Sequence, residues 1–242
     1  MSKAPFKKLL LLCLPLSLSL SATFAEGAPS SFYSAKKMAA IVYKDQRQTF
    51  YCNCPFTEVT DNKGRKKLVP DLKKCGYQVR KQETRANRIE WEHVMPAWVF
   101  GHQRQCWQKG GRKNCQKDAT FRAMEADLFN LVPSVGEVNG DRSNFSFGDL
   151  SYIPDMYGKC DFKVDFKTKR AEPPEEKRGK IARVYLYMAD KYQLKLSSQD
   201  KKLYSAWNNM YPVSTWEAKR HKRISKLMGW ENPYTVERMS RN

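Results

Sequence analysis

The chain is poor in histidine and lacks several short motifs that mark common hydrolases and cofactor sites. Only three histidines occur among its 242 residues, so any reaction that needs an imidazole depends on one of them. No HExxH is present, which excludes a zincin-type metalloprotease. A nucleophile elbow and a glycine-rich phosphate loop are also missing, so nothing supports an α/β-hydrolase or a P-loop protein. No two cysteines have the CxxC spacing of a zinc site.

Long apolar runs are missing too, except at the N-terminus. Three lysines precede an apolar run over residues 9–20, and small residues then lead to Ala25. This order predicts a secretory signal peptide over residues 1–25, with cleavage after Ala25. The alternative, an uncleaved membrane anchor, requires about 20 apolar residues to span a bilayer, and this run is shorter. We therefore expect residues 26–242 to form one exported domain without a membrane anchor.

Acidic residues are scarce relative to basic ones. Lysine and arginine total 44 against 25 for aspartate and glutamate, which gives a net charge of +19. Loss of the three lysines in the signal peptide lowers this charge to +16. So large an excess predicts an anionic partner, which is nucleic acid, an anionic membrane surface or an acidic polymer of the cell envelope. The charge alone does not choose among the three.

Seven cysteines occur, and Cys13 leaves with the signal peptide. An even number then remains in an exported chain, which predicts three disulfides rather than a zinc site. These six residues are Cys52, Cys54, Cys75, Cys106, Cys115 and Cys160.

The positions of the cysteines predict part of the pairing. Cys106 and Cys115 bracket a Gly-Gly turn and are natural partners. Cys52 and Cys54 point to one side if their segment is a strand. We expect these two to form separate disulfides with the remaining cysteines, Cys75 and Cys160.

The hydrophobic pattern predicts a mixed α+β domain whose C-terminal half is helical. Residues 31–45 suit an amphipathic helix, while residues 49–100 are rich in β-branched and aromatic residues and predict short strands. Residues 103–118 are expected to form a basic loop closed by cysteines. Further expected elements are a short helix over 134–142, a strand over 161–166, and helices over 175–193, 198–210 and 214–229.

Some of these elements carry a face that the pattern assigns to the core. On the first helix these residues are Tyr33, Met38, Ile41 and Val42. On the strand over 161–166 they are Phe162, Val164 and Phe166. The last helix is expected to begin with a capping box formed by Ser214 and Glu217 and to stop near Gly229.

One stretch places a carboxylate directly beside a histidine. The segment RIEWEHVMPAW, residues 88–98, contains Glu92 followed by His93. A neutral imidazole suits a general base near physiological pH, and a carboxylate oxygen suits a hard divalent cation. Because adjacent residues of a strand point to opposite faces, convergence on one phosphate requires a bend, for which Pro96 is well placed. A second oxygen ligand must come from elsewhere, and GEVNGDRSN supplies Asn139. The alternative is a structural histidine among the neighbouring aromatic residues.

Longer motifs surround this pair. RIEWEHVMPAWVFG, GGRKNC and MEADLFNLVPSVGEVNGDRSNF closely resemble the bacterial endonuclease I family of periplasmic and secreted nucleases, and the resemblance continues through KVDFKTKRAEPPEEKRGKIARVYLYM and MYPVSTWE. It covers nearly all of residues 26–242. It implies a ββα-metal finger, two strands and a helix around one divalent ion, usually magnesium, with calcium or manganese as substitutes. It also implies cleavage of double- and single-stranded DNA, and of RNA, with little sequence preference and 5′-phosphate ends. We further expect a monomer.

The resemblance implies a role for each of five residues. Glu92 and Asn139 match the metal ligands, and His93 matches the general base. Arg112 matches the arginine that steadies the cleaved phosphate. Glu125 matches an acidic position near the active site, where it is expected to orient His93.

The chain departs from the family pattern at two places. Phe129 stands where family members commonly have histidine in DLHNL, which removes a polar group at that position. The chain also lacks the extra cysteine pair that some relatives carry near the C-terminus, where WEAKR occupies residues 216–220. One disulfide fewer is implied, with a looser anchoring of the last helix.

The remaining basic residues and histidines carry weaker expectations. Four residues on one face of the last helix are candidates for phosphate contacts, namely Lys219, Lys222, Arg223 and Lys226. The alternative for this face is simple solvation. His102 and His221 are expected on the surface or in local hydrogen bonds.

A rival function is a non-catalytic envelope protein that binds DNA. Charge, export and disulfides fit that function equally well. It does not require Glu92, His93, Arg112 and Asn139 together.

Overall fold

The computed structural model describes residues 27–241, so the expected signal peptide and its cleavage site lie outside the described residues. The helices in this range are α1 (Phe32–Val42), α2 (Glu83–Ala86), α3 (Ala97–Gly101), α4 (Gln105–Gln108), α5 (Gly111–Cys115), α6 (Ala119–Glu125), α7 (Gly136–Arg142), α8 (Glu175–Lys191), α9 (Ser198–Met210), α10 (Thr215–Met228) and α11 (Pro233–Met239). The strands are β1 (Phe56–Thr60), β2 (Lys66–Pro70), β3 (Ile89–His93), β4 (Leu131–Val135), β5 (Ser146–Phe147), β6 (Lys163–Asp165) and β7 (Arg170–Glu172). The α+β class is confirmed.

Two antiparallel strands and one helix form the centre of the fold. β3 pairs with β4, so that Glu92 lies opposite Val132. α7 starts directly after β4, and the N–H of Gly136 donates to the carbonyl of Arg88. Gly136 also packs against the backbone of Arg85, where any side chain would collide. Glycine is therefore required for this tight step from strand to helix. β3, β4 and α7 form the ββα arrangement that the family resemblance implies.

Helix α1 covers one face of β3. The ring of Phe32 lies 4.7 Å from the imidazole of His93, and the ring of Tyr43, which caps the helix, meets Trp91 edge-on at 5.9 Å. Both ends of α1 are thus fixed on the same strand. The N-terminal end of α1 closes over His93.

Helix α1 is confirmed, but the prediction of which of its residues are buried was only partly correct. Tyr33 and Ile41 are 66% and 60% exposed, whereas the fully buried residues are Ala35, Ala39 and Val42. The physical reason is that alanines let α1 approach the strands closely. Bulky apolar residues then remain on the opposite side, where nothing covers them in the described chain.

The helical C-terminal half is confirmed, with α11 as an addition. The buried guanidinium of Arg183 on α8 donates to both carboxylate oxygens of Glu217 on α10, at 2.6 and 2.7 Å. The side-chain amide of Asn232, which caps α11, donates to the carbonyl of Arg183. Ser214 caps α10 as expected, but the Glu217 carboxylate binds Arg183 instead of completing the capping box. Gly229 ends α10 in the left-handed conformation, with φ of 79°.

Three local expectations were wrong in detail. The basic segment over 103–118 is not a loop throughout, because it contains the short helices α4 and α5. The helix expected from residue 134 begins at Gly136, since the two preceding residues belong to β4. Phe166 is 43% exposed and lies outside β6. The strand ends there because the Asp165 carboxylate accepts the N–H groups of Lys167 and Thr168 and starts a turn.

The three disulfides follow the expected pattern. Cys106 pairs with Cys115, while Cys52 and Cys54 form separate bonds, with Cys160 and Cys75 respectively. The Cys52–Cys160 disulfide spans 108 residues and joins the segment before β1 to the segment before β6. Within residues 27–241, no helix is long and apolar enough to cross a membrane.

The Arg183–Glu217 pair generates a stability prediction. Glu217→Ala leaves a buried guanidinium without its counter-ion and should lower the free energy of unfolding by about 3–5 kcal/mol. Glu237→Ala removes an exposed partner of Arg241 and should change the free energy of unfolding by less than about 0.5 kcal/mol. Urea denaturation of the disulfide-intact proteins measures both. Equal effects of the two substitutions would contradict this account of how α8 and α10 are held together.

Candidate active site

A cleft of about 790 Å³ runs along the edge of β3 that β4 does not pair with. Its walls include Phe32 of α1 on one side and Asn139 of α7 on the other, and both Glu92 and His93 line it. The expected bend between these two residues is absent, because β3 stays paired with β4 through His93. The two side chains reach the same cleft from opposite faces of β3 because the cleft extends over the open edge of the strand.

Glu92 is a buried carboxylate with one oxygen free of protein partners. Its side chain is 4% exposed. Oε1 accepts hydrogen bonds from Tyr51 Oη at 3.2 Å and from Arg142 Nη1 at 3.0 Å, whereas Oε2 accepts none from residues 27–241. Burial raises the pKa of Glu92 to about 7, against the opposing effects of Arg142 and Tyr51, and the charge of Glu90 adds to the rise. A cation at Oε2 would favour the ionised carboxylate.

Arg142 holds Glu92 in place, and reasoning from the sequence did not identify it. The guanidinium is fully buried and also donates to the backbone carbonyls of His93 and Val94 and to Tyr185 Oη. Arg142 lies three residues after Asn139 on α7, one helical turn further along. The motif GEVNGDR therefore contributes a second group to the site. Nothing in the sequence around Arg142, the last residue of the short helix α7, indicated that its side chain would be buried.

His93 is buried, and only one of its ring nitrogens has a hydrogen-bond partner among residues 27–241. Nε2 lies 2.8 Å from the backbone carbonyl of Glu125. A carbonyl only accepts, so in the neutral ring Nε2 carries the proton and Nδ1 has the free lone pair. The pKa of His93 is lowered to about 4. Burial is the main cause, the charges of Arg112 and Arg142 act in the same direction, and the hydrogen bond to the Glu125 carbonyl opposes them. His93 is thus a neutral proton acceptor across the physiological range.

Glu125 contacts both His93 and Arg112, but with different groups. Its carbonyl orients the imidazole, while its carboxylate Oε1 accepts from Arg112 Nε at 2.7 Å. The Arg112 side chain is 45% exposed and lines the cleft, whereas Glu125 is buried behind it. The carboxylate leaves the terminal nitrogens of the guanidinium free to meet an anion. The sequence suggested that the carboxylate of Glu125 orients His93. In the structure the backbone carbonyl of Glu125 makes that contact.

Asn139 belongs to a hydrogen-bonded chain that starts at α2. Its amide nitrogen donates to Glu90 Oε2 at 2.7 Å, so its Oδ1 remains as an acceptor. Glu90 is held in turn by Arg85 and Arg88. Arg85 crosses directly over Gly140, where any side chain would overlap the guanidinium. This network fixes the amide next to the cleft with its oxygen available.

The donor set fits a hard divalent cation. Glu92 Oε2 and Asn139 Oδ1 are oxygens without protein donors in the described chain, and both residues line the same cleft. Within residues 27–241, no group of three or more histidine, cysteine, aspartate or glutamate side chains forms a metal cage. Magnesium commonly takes only one or two protein ligands and completes its octahedron with water and substrate phosphate. The site therefore suits magnesium better than a structural zinc ion.

The four basic candidates on α10 do not line the cleft. Lys219 and Arg223 both bind Asp45, whose pKa these hydrogen bonds lower. Lys222 and Lys226 are exposed and make no ion pair with the described residues. A role of this face in phosphate binding stays a prediction, carried by the two exposed lysines.

The two other histidines and Phe129 lie away from the cleft. His102 stacks on Trp98 at 4.2 Å and bonds to its carbonyl, as a local contact. His221 is 2% exposed and contacts Ser225 one turn further along α10, so it has the local hydrogen bond rather than the surface position. Phe129 is buried against Tyr187 and His221. Its apolar ring therefore serves the core.

Comparisons with known proteins establish the family of this chain. The family model described as Endonuclease I matches residues 30–238. The chain belongs to the endonuclease I family. It is 49% identical over 225 residues to a periplasmic deoxyribonuclease of Aeromonas hydrophila, covering 93% of each chain. It is 46% identical over 214 residues to Endonuclease-1 of Buchnera aphidicola subsp. Acyrthosiphon pisum, covering 88% of this chain and 84% of the relative. An extracellular endonuclease of Pseudomonas fluorescens biotype A is 33% identical over 219 residues, with 86% and 87% covered.

For this endonuclease I chain, the environment of His93 generates a pH prediction. In the metal-free protein the imidazole should titrate near pH 4, well below the reference value of about 6.5. Above that midpoint the ring is neutral and accepts a proton; below it the ring is charged and does not. An NMR titration of the ring carbon protons measures the midpoint. A midpoint near 6.5 would mean that the imidazole is more hydrated than its burial indicates.

Proposed function

We propose that this protein is a metal-dependent endonuclease that hydrolyses phosphodiester bonds of DNA, and also of RNA, with little sequence preference. Membership of the endonuclease I family and the deoxyribonuclease names of its relatives support nuclease activity. The observation that carries the chemistry is the free Nδ1 of a neutral His93 beside the free Oε2 of Glu92 in one cleft. Contacts to phosphates carry little sequence information, so recognition through phosphates accounts for the weak sequence preference in this proposal.

In the proposed reaction His93 is the general base. Nδ1 accepts a proton from water, and the water oxygen forms a bond to phosphorus as the bond between phosphorus and O3′ breaks. The phosphate stays on the 5′ end, and the released O3′ takes a proton from solvent. The hydrogen bond from Nε2 to the Glu125 carbonyl keeps the ring oriented and stabilises the imidazolium that forms.

Glu92 and Asn139 would hold magnesium, with calcium or manganese as substitutes. When bound, the ion supplies charge stabilisation for the phosphorane and the leaving oxygen. Arg142 and Tyr51 keep the carboxylate in one orientation, so that the free oxygen points to one position. Arg112 would meet the cleaved phosphate, with Glu125 fixing the other side of its guanidinium.

Several further features belong to the proposal. The protein is exported to the periplasm or the medium, as the names of its relatives state for them. Its three disulfides agree with an oxidising compartment. It acts as a monomer on double- and single-stranded nucleic acid.

Metal removal separates this function from that of a non-catalytic DNA-binding protein. Supercoiled plasmid should be nicked and then degraded with magnesium present, and should stay intact with excess EDTA, because Glu92 and Asn139 alone cannot stabilise the transition-state charge. Gel electrophoresis measures both conditions, and restoring magnesium should restore cleavage. Plasmid that is bound but remains intact with every divalent cation would favour the rival function.

Substitutions should separate metal binding from proton transfer. Glu92→Ala and Asn139→Ala each remove an oxygen ligand and should weaken magnesium binding and cleavage together. His93→Ala should keep magnesium affinity and lower single-turnover cleavage by about 10²–10⁴-fold, the usual contribution of a general base. Glu237→Ala, which removes an exposed carboxylate of α11 outside the cleft, is the matched control. The assignment of roles is wrong if His93→Ala loses its magnesium while Glu92→Ala keeps it.

The disulfide nearest the cleft should matter for activity and not only for stability. Cys115 ends the short helix α5 that carries Arg112. Opening this bond by Cys106→Ser/Cys115→Ser should lower cleavage at temperatures where the protein stays folded, because Arg112 loses its fixed position. Opening the other short loop by Cys54→Ser/Cys75→Ser should lower the free energy of unfolding, by about 2–4 kcal/mol, with less effect on cleavage. Cleavage rates and circular dichroism melts compare the two; the reverse order would contradict the proposed role of α5.

A further inference from the structure

A second cavity, of about 260 Å³, lies between α8, the start of α10 and the turn before β1. No described residue lines both this cavity and the candidate active-site cleft. Its walls combine aromatic rings with basic and polar groups, among them Phe50, Asn53, Lys177, Lys180, Ser214 and Trp216. The proposed nuclease reaction uses none of these residues.

Lys180 is the unusual member of this cavity. Its side chain is only 8% exposed, yet its ammonium makes no hydrogen bond or ion pair with any residue in the range 27–241. The ammonium lies 4.9 Å from the centre of the Phe50 ring, so it points toward the cavity that this ring lines. Buried lysines are rarely left without a counter-ion, because desolvation of an ammonium costs several kcal/mol. A site for an anion is the direct explanation.

The other charged groups around the cavity do not neutralise Lys180. Both carboxylate oxygens of Glu217 are bound by Arg183. The exposed Glu176 accepts from Asn53 and lies 3.5 Å from the ammonium of Lys177, which also donates to Asn53 at 2.7 Å. With Glu217 paired to Arg183 and Glu176 close to Lys177, the ammonium of Lys180 is the charge at the cavity without a counter-ion among the described residues.

Two further cationic residues lie near Lys180, Arg183 on the same helix, α8, and Arg220 on α10. Burial, and then the charges of Arg220, Lys177 and Arg183, hold the pKa of Lys180 well below its usual range, against the opposing charge of Glu217. The hydroxyl of Tyr43, another wall residue, is buried next to Arg220 and donates no hydrogen bond to a described residue. The site thus has cationic groups and a hydroxyl donor, but no bound counter-anion from the protein.

The start of α10 adds backbone donors at the same place. The helix has 14 residues, and Ser214 and Trp216 at its first turn line the cavity. The Ser214 hydroxyl accepts from the N–H of Glu217, while the N–H groups of Thr215 and Trp216 have no acceptor among the described residues. Free N–H groups and the helix dipole together favour an anion at such a terminus.

We propose that this cavity is a binding site for a phosphate dianion, either free phosphate or the terminal phosphate of a nucleotide. Lys180 and the first turn of α10 bind the phosphate, and Lys177 adds charge at the entrance. The volume exceeds that of one tetrahedral anion, and the rings of Phe50, Tyr43 and Trp216 offer apolar walls to a sugar or base attached to it. The proposal does not depend on the nuclease reaction.

Calorimetric titration with inorganic phosphate, thymidine 5′-monophosphate and thymidine tests the site. The titrations use Arg112→Ala protein in low-salt buffer, so that the cleft contributes little phosphate binding. Phosphate should bind at one site, and Lys180→Met in this background should weaken it at least tenfold. Lys201→Met removes the same charge from an exposed position on α9 and should leave the affinity unchanged. Tighter binding of the nucleotide than of phosphate, with thymidine inert, identifies a nucleotide as the occupant, whereas equal binding identifies free phosphate.

Thermal melts show whether the Lys180→Met variant is folded. Without phosphate, Lys180→Met should melt no lower than the parent protein, because it removes a buried unpaired ammonium. Phosphate should raise the melting temperature of the parent and not that of Lys180→Met, since a ligand stabilises only the protein that binds it. Phosphate affinity that survives Lys180→Met would overturn the proposal. So would a stabilisation by chloride, at equal ionic strength, as large as that by phosphate.

Discussion

The buried guanidinium of Arg142 is the interaction on which the cleft depends. It lies at the end of α7 and binds the Glu92 carboxylate together with the carbonyls of His93 and Val94. A fully buried cation is costly to desolvate, and here four acceptors and the ring of Phe147 at 4.6 Å offset that cost. Because the Arg142 guanidinium binds both the backbone of β3 and the Glu92 carboxylate on that strand, α7 and β3 cannot shift independently. This contact fixes Glu92 and the backbone of His93, while Glu90 holds Asn139 and the Glu125 carbonyl orients the imidazole.

Burial has opposite effects on the two adjacent residues at the end of β3. It raises the pKa of Glu92 and lowers that of His93, because it disfavours the charged form of each. Near neutral pH the imidazole is therefore an available base, while the carboxylate favours a cation that would keep it ionised. In the proposed reaction these are the two complementary roles. A pair of titratable groups whose environments separate their pKa values is a common arrangement for acid–base chemistry.

The sequence predicted most elements and the residues that border the cleft, and the misses have local physical causes. Helices α8, α9 and α10 were predictable from their apolar spacing, and serine side chains also cap α9 and α10. The burial of Arg142 was not, since arginine is normally exposed and its four acceptors lie on segments distant in sequence. Likewise, the backbone of Glu125 orients His93, and side-chain patterns carry no information about a carbonyl. Convergence of Glu92 and His93 needed no bend, because an open strand edge exposes both of its faces.

The most direct test of the central claim is the tautomer of His93 in the metal-free protein at neutral pH. Nitrogen-15 NMR of the histidine ring distinguishes a protonated nitrogen from one with a free lone pair. The account predicts a neutral ring protonated at Nε2, with Nδ1 unprotonated, because the Glu125 carbonyl only accepts. A ring protonated at Nδ1, or at both nitrogens, would contradict it, since the nitrogen assigned to accept the proton from water would already carry one.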